Sequence, residues 1–269
     1  MFFDNDYMLT GEDLRSSLKM PKMHPFEVNP GEVFICIPDL HFPFYHRGFV
    51  QWTFKMINKY KDFFEVVHVV QLSDLFDLYG FSRWDKIEKT NAKKETDTAR
   101  AMGVEFWGNI QGSNIRKYQL IGNHDTRSEK FARKQEDQAK DYIPVASELL
   151  TFDDVYTVTS EFDTLQFKTL KDELLAMHGY LQNCMAHVSK FETNVVHGHT
   201  HQGDLVFKKN KFGLDCGNGC DYNSFALAYS KQFIKRQDTK ILGIIEVTPT
   251  GMFQPHPFRY FEGFENHVY

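Results

Sequence analysis

Three histidines fall at every second position in NVVHGHTHQG, residues 194–203. Alternate side chains of an extended chain share a face. His197, His199 and His201 can therefore point the same way until Gly198 lets the backbone turn. Imidazoles gathered like this hold metal or carry protons, although polar residues also collect wherever a strand gives way to a loop. The decapeptide alone leaves both readings open. Residues of the same chemical kind recur elsewhere: Asp39 and His41, Asp74 and Asp77, Asn123 and His124, and His178.

Each of these groups follows an apolar run. EVFICIPD reads as a buried strand ending at Asp39, EVVHVVQLSD as a second ending at Asp74, and KYQLIGNHD as a third ending in a polar loop. Between the first two, GFVQWTFKMINKYKDFF places Val50, Phe54 and Ile57, and Trp52, Met56 and Tyr60, at helical spacing. Residues 81–112 read as charged and helical, and EKFARKQEDQAKDY as a further helix. From Leu165 onward the pattern turns to hairpins: LQFKTLKDELLAMHG, DLVFKKNKFGLDCG and ILGIIEVTPTGMFQPHPF. Strand–helix alternation followed by antiparallel pairs predicts an α/β chain of two packed mixed β-sheets flanked by helices. A single domain is expected over residues 31–269. Residues 1–30, polar and punctuated by proline, are expected to form an N-terminal extension lying on it.

In α/β proteins the C-terminal ends of parallel strands form one rim, where ligands bind. One aspartate after a strand is an ordinary turn former or helix cap. Five strand ends that supply carboxylates, an amide and imidazoles are harder to dismiss, because such polarity left unpaired in one cleft is costly. A bound cation satisfies it. Carboxylate, carboxamide and imidazole without thiolate suit manganese, iron or zinc rather than copper or an iron–sulfur centre. The supply is too rich for one structural zinc and fits two ions about 4 Å apart bridged by a carboxylate, as in phosphoryl displacement.

Composition narrows the alternatives. With 42% hydrophobic residues and 26 phenylalanines, 269 residues can build a large core. The formal charge of −5 excludes a globally basic nucleic-acid binder, though not a local basic groove. No apolar stretch approaches a membrane span, and the acidic start MFFDNDYMLTGEDLRSS is unlike a secretory signal. Four scattered cysteines are expected to be reduced, in a cytoplasmic protein. Cys216 and Cys220 flank the turn CGNGC, with no second pair to complete a thiolate zinc site. No internal repeat or low-complexity tract is present.

The ordered set DLH (39–41), SDLFD (73–77), GNHD (122–125), HG (178–179) and GHTH (198–201) resembles the calcineurin-like metallophosphoesterases, in particular small phosphoesterases of bacteria and phages. The resemblance covers nearly everything after residue 30. It implies the family's sandwich fold and a two-metal phosphoester hydrolase. Carried over by motif, Asp39, His41 and His201 hold one metal. Asn123, His178 and His199 hold the other, and Asp74 bridges them. His124 matches the proton donor to the leaving oxygen, and Asp125 the acid that orients it. Manganese is the first choice of metal, with iron, zinc, nickel or cobalt as alternatives.

The chain departs from the family at Ser73, where glycine usually precedes the bridging aspartate. Serine there is expected to require a negative φ, and its hydroxyl can then bond a metal ligand. Asp77 and His197 are likewise expected to touch ligands rather than ions. Arg127, three residues after His124, is the best candidate for binding phosphate, since guanidinium matches its oxygens bidentately. Arg47 and His46 are weaker candidates. The segment RWDKIEKTNAKKETDTAR reads first as a solvated helical face, and second, through Arg83, Trp84 and Lys86, as a place for a phosphate and a base. His68 reads as a core histidine. His187, His24, His256 and His267 lie outside the rim.

The family's protein phosphatases carry GDxxDRG and GNHE, whereas here Asp77 is followed by LYG and His124 by Asp125. The reading is therefore a phosphodiesterase acting on nucleotides or nucleic acid, or a nuclease on single strands. A phosphomonoesterase is the alternative within the class, and a catalytically inactive binding scaffold the alternative outside it.

Overall fold

Strands buried at every position need cover on both faces, and β2 (Val33–Ile37) and β3 (Val67–Gln71) are buried at all five. The computed structural model, which describes residues 22–83, 90–134, 143–224, 226 and 239–263, supplies that cover with a second sheet on one side and helices on the other. One sheet runs β12 (Phe253–Arg259), β11 (Ile241–Val247), β2, β3, β4 (Ile115–Gln119), β5 (Val155–Thr157). Its last four strands are parallel, and the first two are antiparallel additions. The other sheet runs β1 (Met23–Glu27), β6 (Thr164–Lys168), β7 (Glu173–Met177), β8 (Asn194–His197), β10 (Lys211–Asp215), β9 (Asp204–Lys208). It too is mixed, with β7, β8 and β10 parallel. The expected sandwich of two mixed sheets flanked by helices is the observed one, and the three expected hairpins are β6–β7, β9–β10 and β11–β12.

The helices are α1 (Arg47–Lys61), α2 (Ala92–Gly108), α3 (Arg127–Ala132), α4 (Ala146–Leu149) and α5 (Cys184–Phe191). Three begin on side-chain caps, in which His46, Asn91 and Asn183 accept from the backbone three residues on. Helix α2 buries Ala99, Gly103, Phe106 and Trp107 and leaves Lys93 and Asp97 paired in solvent. That is the solvated face expected of the charged segment, although Trp84 and Lys86 lie outside the described residues. The helix expected over 129–142 is present as α3, while 135–142 lie outside the described residues.

The sheets meet through aromatic rings. Phe34 of β2 sits 4.7 Å from Phe167 of β6 and 5.9 Å from Phe253, and it stacks on His68 at 4.4 Å. His68 is a core histidine, held by Glu32 at 2.7 Å and the Tyr118 hydroxyl at 3.2 Å. Met23–Glu27 pair in parallel with Thr164–Lys168 and so form the edge of the second sheet. Because Phe34 is fully buried between the sheets, Phe34→Ala should destabilise the fold by roughly 3–5 kcal/mol. Urea unfolding should show this as a lowered midpoint at unchanged slope.

Candidate metal centre

The parallel strands of both sheets deliver their C-terminal ends to one place. Asp39 and His41 follow β2, Ser73, Asp74 and Asp77 follow β3, and Asn123, His124 and Asp125 follow β4. From the other sheet come His178 after β7 and His199 and His201 after β8. The loops are tied together, since His41 N donates to Asp74 O at 2.9 Å and Gly198 N to His178 O at 3.1 Å. Their backbones are unusual. Of the nine non-glycine residues with positive φ among the described residues, five are here: His41 (55°), Ser73 (103°), Asp74 (42°), His199 (70°) and His201 (60°). Such conformations cost on the order of 1–3 kcal/mol each and cluster at functional sites.

The donor atoms fall into two groups. In one, His41 Nε2 and His201 Nε2 are 3.3 Å apart, and Asp39 Oδ2 lies 3.2 Å from His201 Nε2. In the other, His178 Nε2 is 2.8 Å from Asn123 Oδ1 and 3.0 Å from His199 Nδ1. Asp74 belongs to both. Its carboxylate lies within 4.8 Å of ring nitrogens of His41 and His124 on one side, and of His178 and His199 on the other.

Two observations test whether this set fits cations. Asp39, Asp74 and Asp125 are buried together. Burial, and then the charge of Asp74, push Asp39 and Asp125 well above the usual carboxylate range. Burial would raise Asp74 too, but His178, His124 and His41 hold it below its ordinary value. Asp39 Oδ1 is buried without a partner, at a cost that a cation removes. The imidazoles are in the state that ligates. Burial lowers His178 to about 3 and takes His201 well below its usual range, so both rings are neutral at pH 7. Asp77 Oδ2 accepts from His41 Nδ1 at 3.0 Å. That fixes the His41 proton on Nδ1 and turns a lone pair at Nε2 toward the site. The residues fit two divalent ions.

Close approach dictates two glycines. A Cβ on Gly122 would stand 2.0 Å from Asp74 Oδ1, and one on Gly198 2.1 Å from Asp39 Oδ1. Ser73 corrects an expectation: its φ is +103°, not negative. The surrounding pairings hold it there, with Ser73 N donating to Gln71 Oε1 at 2.8 Å and its carbonyl accepting from Gln71 Nε2 at 2.7 Å. The hydroxyl nevertheless meets His178 Nδ1 as expected.

The remaining candidates divide. Asp77 touches His41, lies 3.4 Å from His124 Nδ1, and accepts from Arg127 Nη1 at 2.7 Å. Asp125, expected to orient His124, does not reach its ring. Its two oxygens accept from Phe76 N at 2.9 Å and Gly122 N at 2.8 Å, shaping the loops instead. Asp77 stands where that acid was expected. Arg127 also donates to Asp77 O at 2.9 Å, and its Nη2 lies 3.0 Å from His124 Nε2. His124 is lowered to about 4 by burial and then by Arg127. His46 caps α1 and Arg47 is the exposed first residue of that helix. His197 is buried, donates from Nδ1 to Gly198 O at 2.8 Å, and packs 4.3 Å from the His187 ring.

Sequence reasoning missed two neighbours. His187 Nε2 accepts from Tyr180 N at 3.2 Å and Leu181 N at 3.3 Å, fixing the turn that follows His178. Cys220 places Sγ within 4.8 Å of ring nitrogens of His41 and His201. Its one sequence signal was the turn CGNGC directly after a strand.

No family model matches the chain, and no curated protein matches it. Solved structures similar to it include Vps29 of Entamoeba histolytica complexed with zinc (10% identity, 84% of this chain and 98% of that one, TM-score 0.39). A predicted phosphoesterase of Streptococcus pneumoniae is similar at 11% identity (85% and 97%, TM-score 0.36). The NAD nucleotidase of Haemophilus influenzae is similar at 9% identity (84% and 50%, TM-score 0.36). This chain spans half of that last protein. These are likenesses of fold, and the site rests on the geometry above.

Gly122→Ala should displace the Asp74 carboxylate and lower the bound metal while circular dichroism stays unchanged. Full occupancy of two ions by elemental analysis in that variant would remove Asp74 from the bridging position.

Proposed function

We infer that the protein is a two-metal-dependent phosphoester hydrolase, and within that class a phosphodiesterase acting on nucleotides or nucleic acid. The observation that carries the reading is the position of Asp74 between two donor groups, His41 with His201 and Asp39, and His178 with His199 and Asn123. When bound, two divalent ions would supply Lewis-acid charge to the phosphate oxygens and activate water for in-line attack. On the carboxylate, carboxamide and imidazole donors alone, manganese is the first choice.

The chain's own residues do the rest. Asp39, His41 and His201 would hold one ion, Asn123, His178 and His199 the other, and Asp74 both. His124 donates a proton to the leaving oxygen. The Asp77 carboxylate beside Nδ1 steadies the charged ring, a role that an approaching phosphate would strengthen by drawing Arg127 Nη2 away from Nε2. Arg127 is fixed through Nη1 on Asp77 and offers Nη2 to a phosphate oxygen. Residues 31–269 act as one domain, with the strand 23–27 at its edge. Among the described residues no helix is long and apolar enough to cross a membrane.

His124 gives the deciding experiment. His124→Ala should keep both ions and slow turnover roughly 10²–10⁴-fold on a diester with an alkoxide leaving group. Bis-p-nitrophenyl phosphate, whose leaving group is stable as an anion, should be hydrolysed with much less loss. Equal slowing on both substrates, or an emptied metal site, would deny His124 the proton. Faster hydrolysis of p-nitrophenyl phosphate than of its bis ester by the native protein with manganese would favour the monoesterase.

A further inference from the structure

Cys220 is fully buried beside the donor group formed by His41 and His201. Nothing in the motif set reaches it, for it lies 19 residues beyond His201. The turn 216–220 brings it there by pairing with the loop after β2. Asp39 bridges Asn218 in parallel, Tyr45 bridges Cys220 in antiparallel fashion, and Gly219 N donates to Asp39 O at 2.7 Å. Two glycines make the approach tight. A Cβ on Gly217 would stand 2.0 Å from Thr239 O, and one on Gly219 2.5 Å from Leu40 Cδ2. The turn is thus fixed by packing, and so is the thiol at its end.

The surroundings of that thiol call for a cation. His41 turns a lone pair at Nε2 toward His201 Nε2, 3.3 Å away, because Asp77 holds its proton on the far nitrogen. Asp39 Oδ2 is 3.2 Å from the same His201 nitrogen, and its Oδ1 is buried without a partner. Donors sharing one ion at about 2.0–2.3 Å each stand roughly 3–4 Å apart, which the His41–His201 spacing meets. The sulfur is within reach of an ion held between those rings. Cys220 Sγ also lies 3.1 Å from Asn218 Oδ1, which accepts its proton in the metal-free state.

We propose that Cys220 is a thiolate ligand of the ion held by Asp39, His41 and His201, and that this ion is a borderline-soft one, zinc, iron or cobalt, rather than manganese. The inference rests on the two-metal reading and adds to it a donor of different chemistry. On binding, the thiol loses its proton to solvent, the Asn218 contact is given up, and a metal–sulfur bond forms. Thiolate favours zinc and iron over manganese, which prefers oxygen donors. The second group, with Asn123, His178 and His199, has no sulfur among the described residues and stays hospitable to manganese. The two positions would then differ in metal preference.

Cobalt(II) tests this without an activity assay, because a cobalt–thiolate bond absorbs in the near ultraviolet and cobalt on oxygen and nitrogen donors alone does not. The metal-free full-length protein is titrated with cobalt, with bound metal measured separately. The thiolate band should grow with one of the two equivalents. It should vanish in Cys220→Ser and survive in Cys216→Ser, whose sulfur faces Gly243 in the core. Cys220→Ser should also reduce the preference for zinc over manganese on the order of tenfold or more. Two bound cobalt ions with no thiolate band in the native protein would overturn the proposal, whatever the variants do. A band persisting in Cys220→Ser would overturn it equally. A native protein that binds no cobalt at all would take the two-metal reading down with it, an outcome the separate metal measurement keeps distinct.

Discussion

Three carboxylates, those of Asp39, Asp74 and Asp125, are enclosed at one rim where water cannot screen them. Like charges at close range in a medium of low dielectric repel strongly, and two of the three are pushed toward the neutral form as a result. Much of the local structure answers that repulsion. Backbone N–H groups are turned onto the oxygens: His199 N to Asp39, His124 N to Asp74, Phe76 N and Gly122 N to Asp125. Those bonds require the positive φ values of His199 and Asp74 and the missing Cβ of Gly122. What hydrogen bonds leave unsatisfied, an ion can satisfy, and the imidazoles around the acids would hold it in place.

Asp77 joins the ligand field to the proton chemistry. One carboxylate meets His41, His124 and Arg127, and burial alone would raise it, yet Arg127 and His124 hold it well below the usual range. Its negative charge is therefore permanent across physiological pH. Two imidazoles from different loops and a guanidinium thus share a single anion. Displacing any one of them alters the field at the other two.

Ligand roles came from the likeness of the motifs to a family; the rim itself was legible because a buried strand announces itself by its apolar run, and the polar residue that ends it marks the place. That logic reached Asp39, Asp74, Asn123, His178, His199 and His201 from order alone. It failed where position depends on contacts distant in sequence. Cys220 reaches the site only because residues 216–220 pair with residues 39–45, and no local period records that pairing. Ser73 misled because glycine's freedom at positive φ is a preference, which the two hydrogen bonds from Gln71 override. Asp77 rather than Asp125 lies beside His124, because both acids follow strands and only the side-chain direction tells which one faces the ring.

The edge of the second sheet has a bearing on what that sheet presents to its surroundings. Strand β1 lies outermost, alternately exposed and half-buried, and carries Pro25 at its centre. A proline there offers no N–H, so a passing strand finds an interrupted row of donors. Without β1, the outer strand would be β6, TLQFK, whose central three residues are buried and which contains no proline. That edge would present an unbroken row of main-chain donors and acceptors, of the kind along which sheets join. Residues 23–27 thus cover a row of main-chain donors and acceptors that would otherwise stand open, with a strand whose own outer row is shortened by a ring.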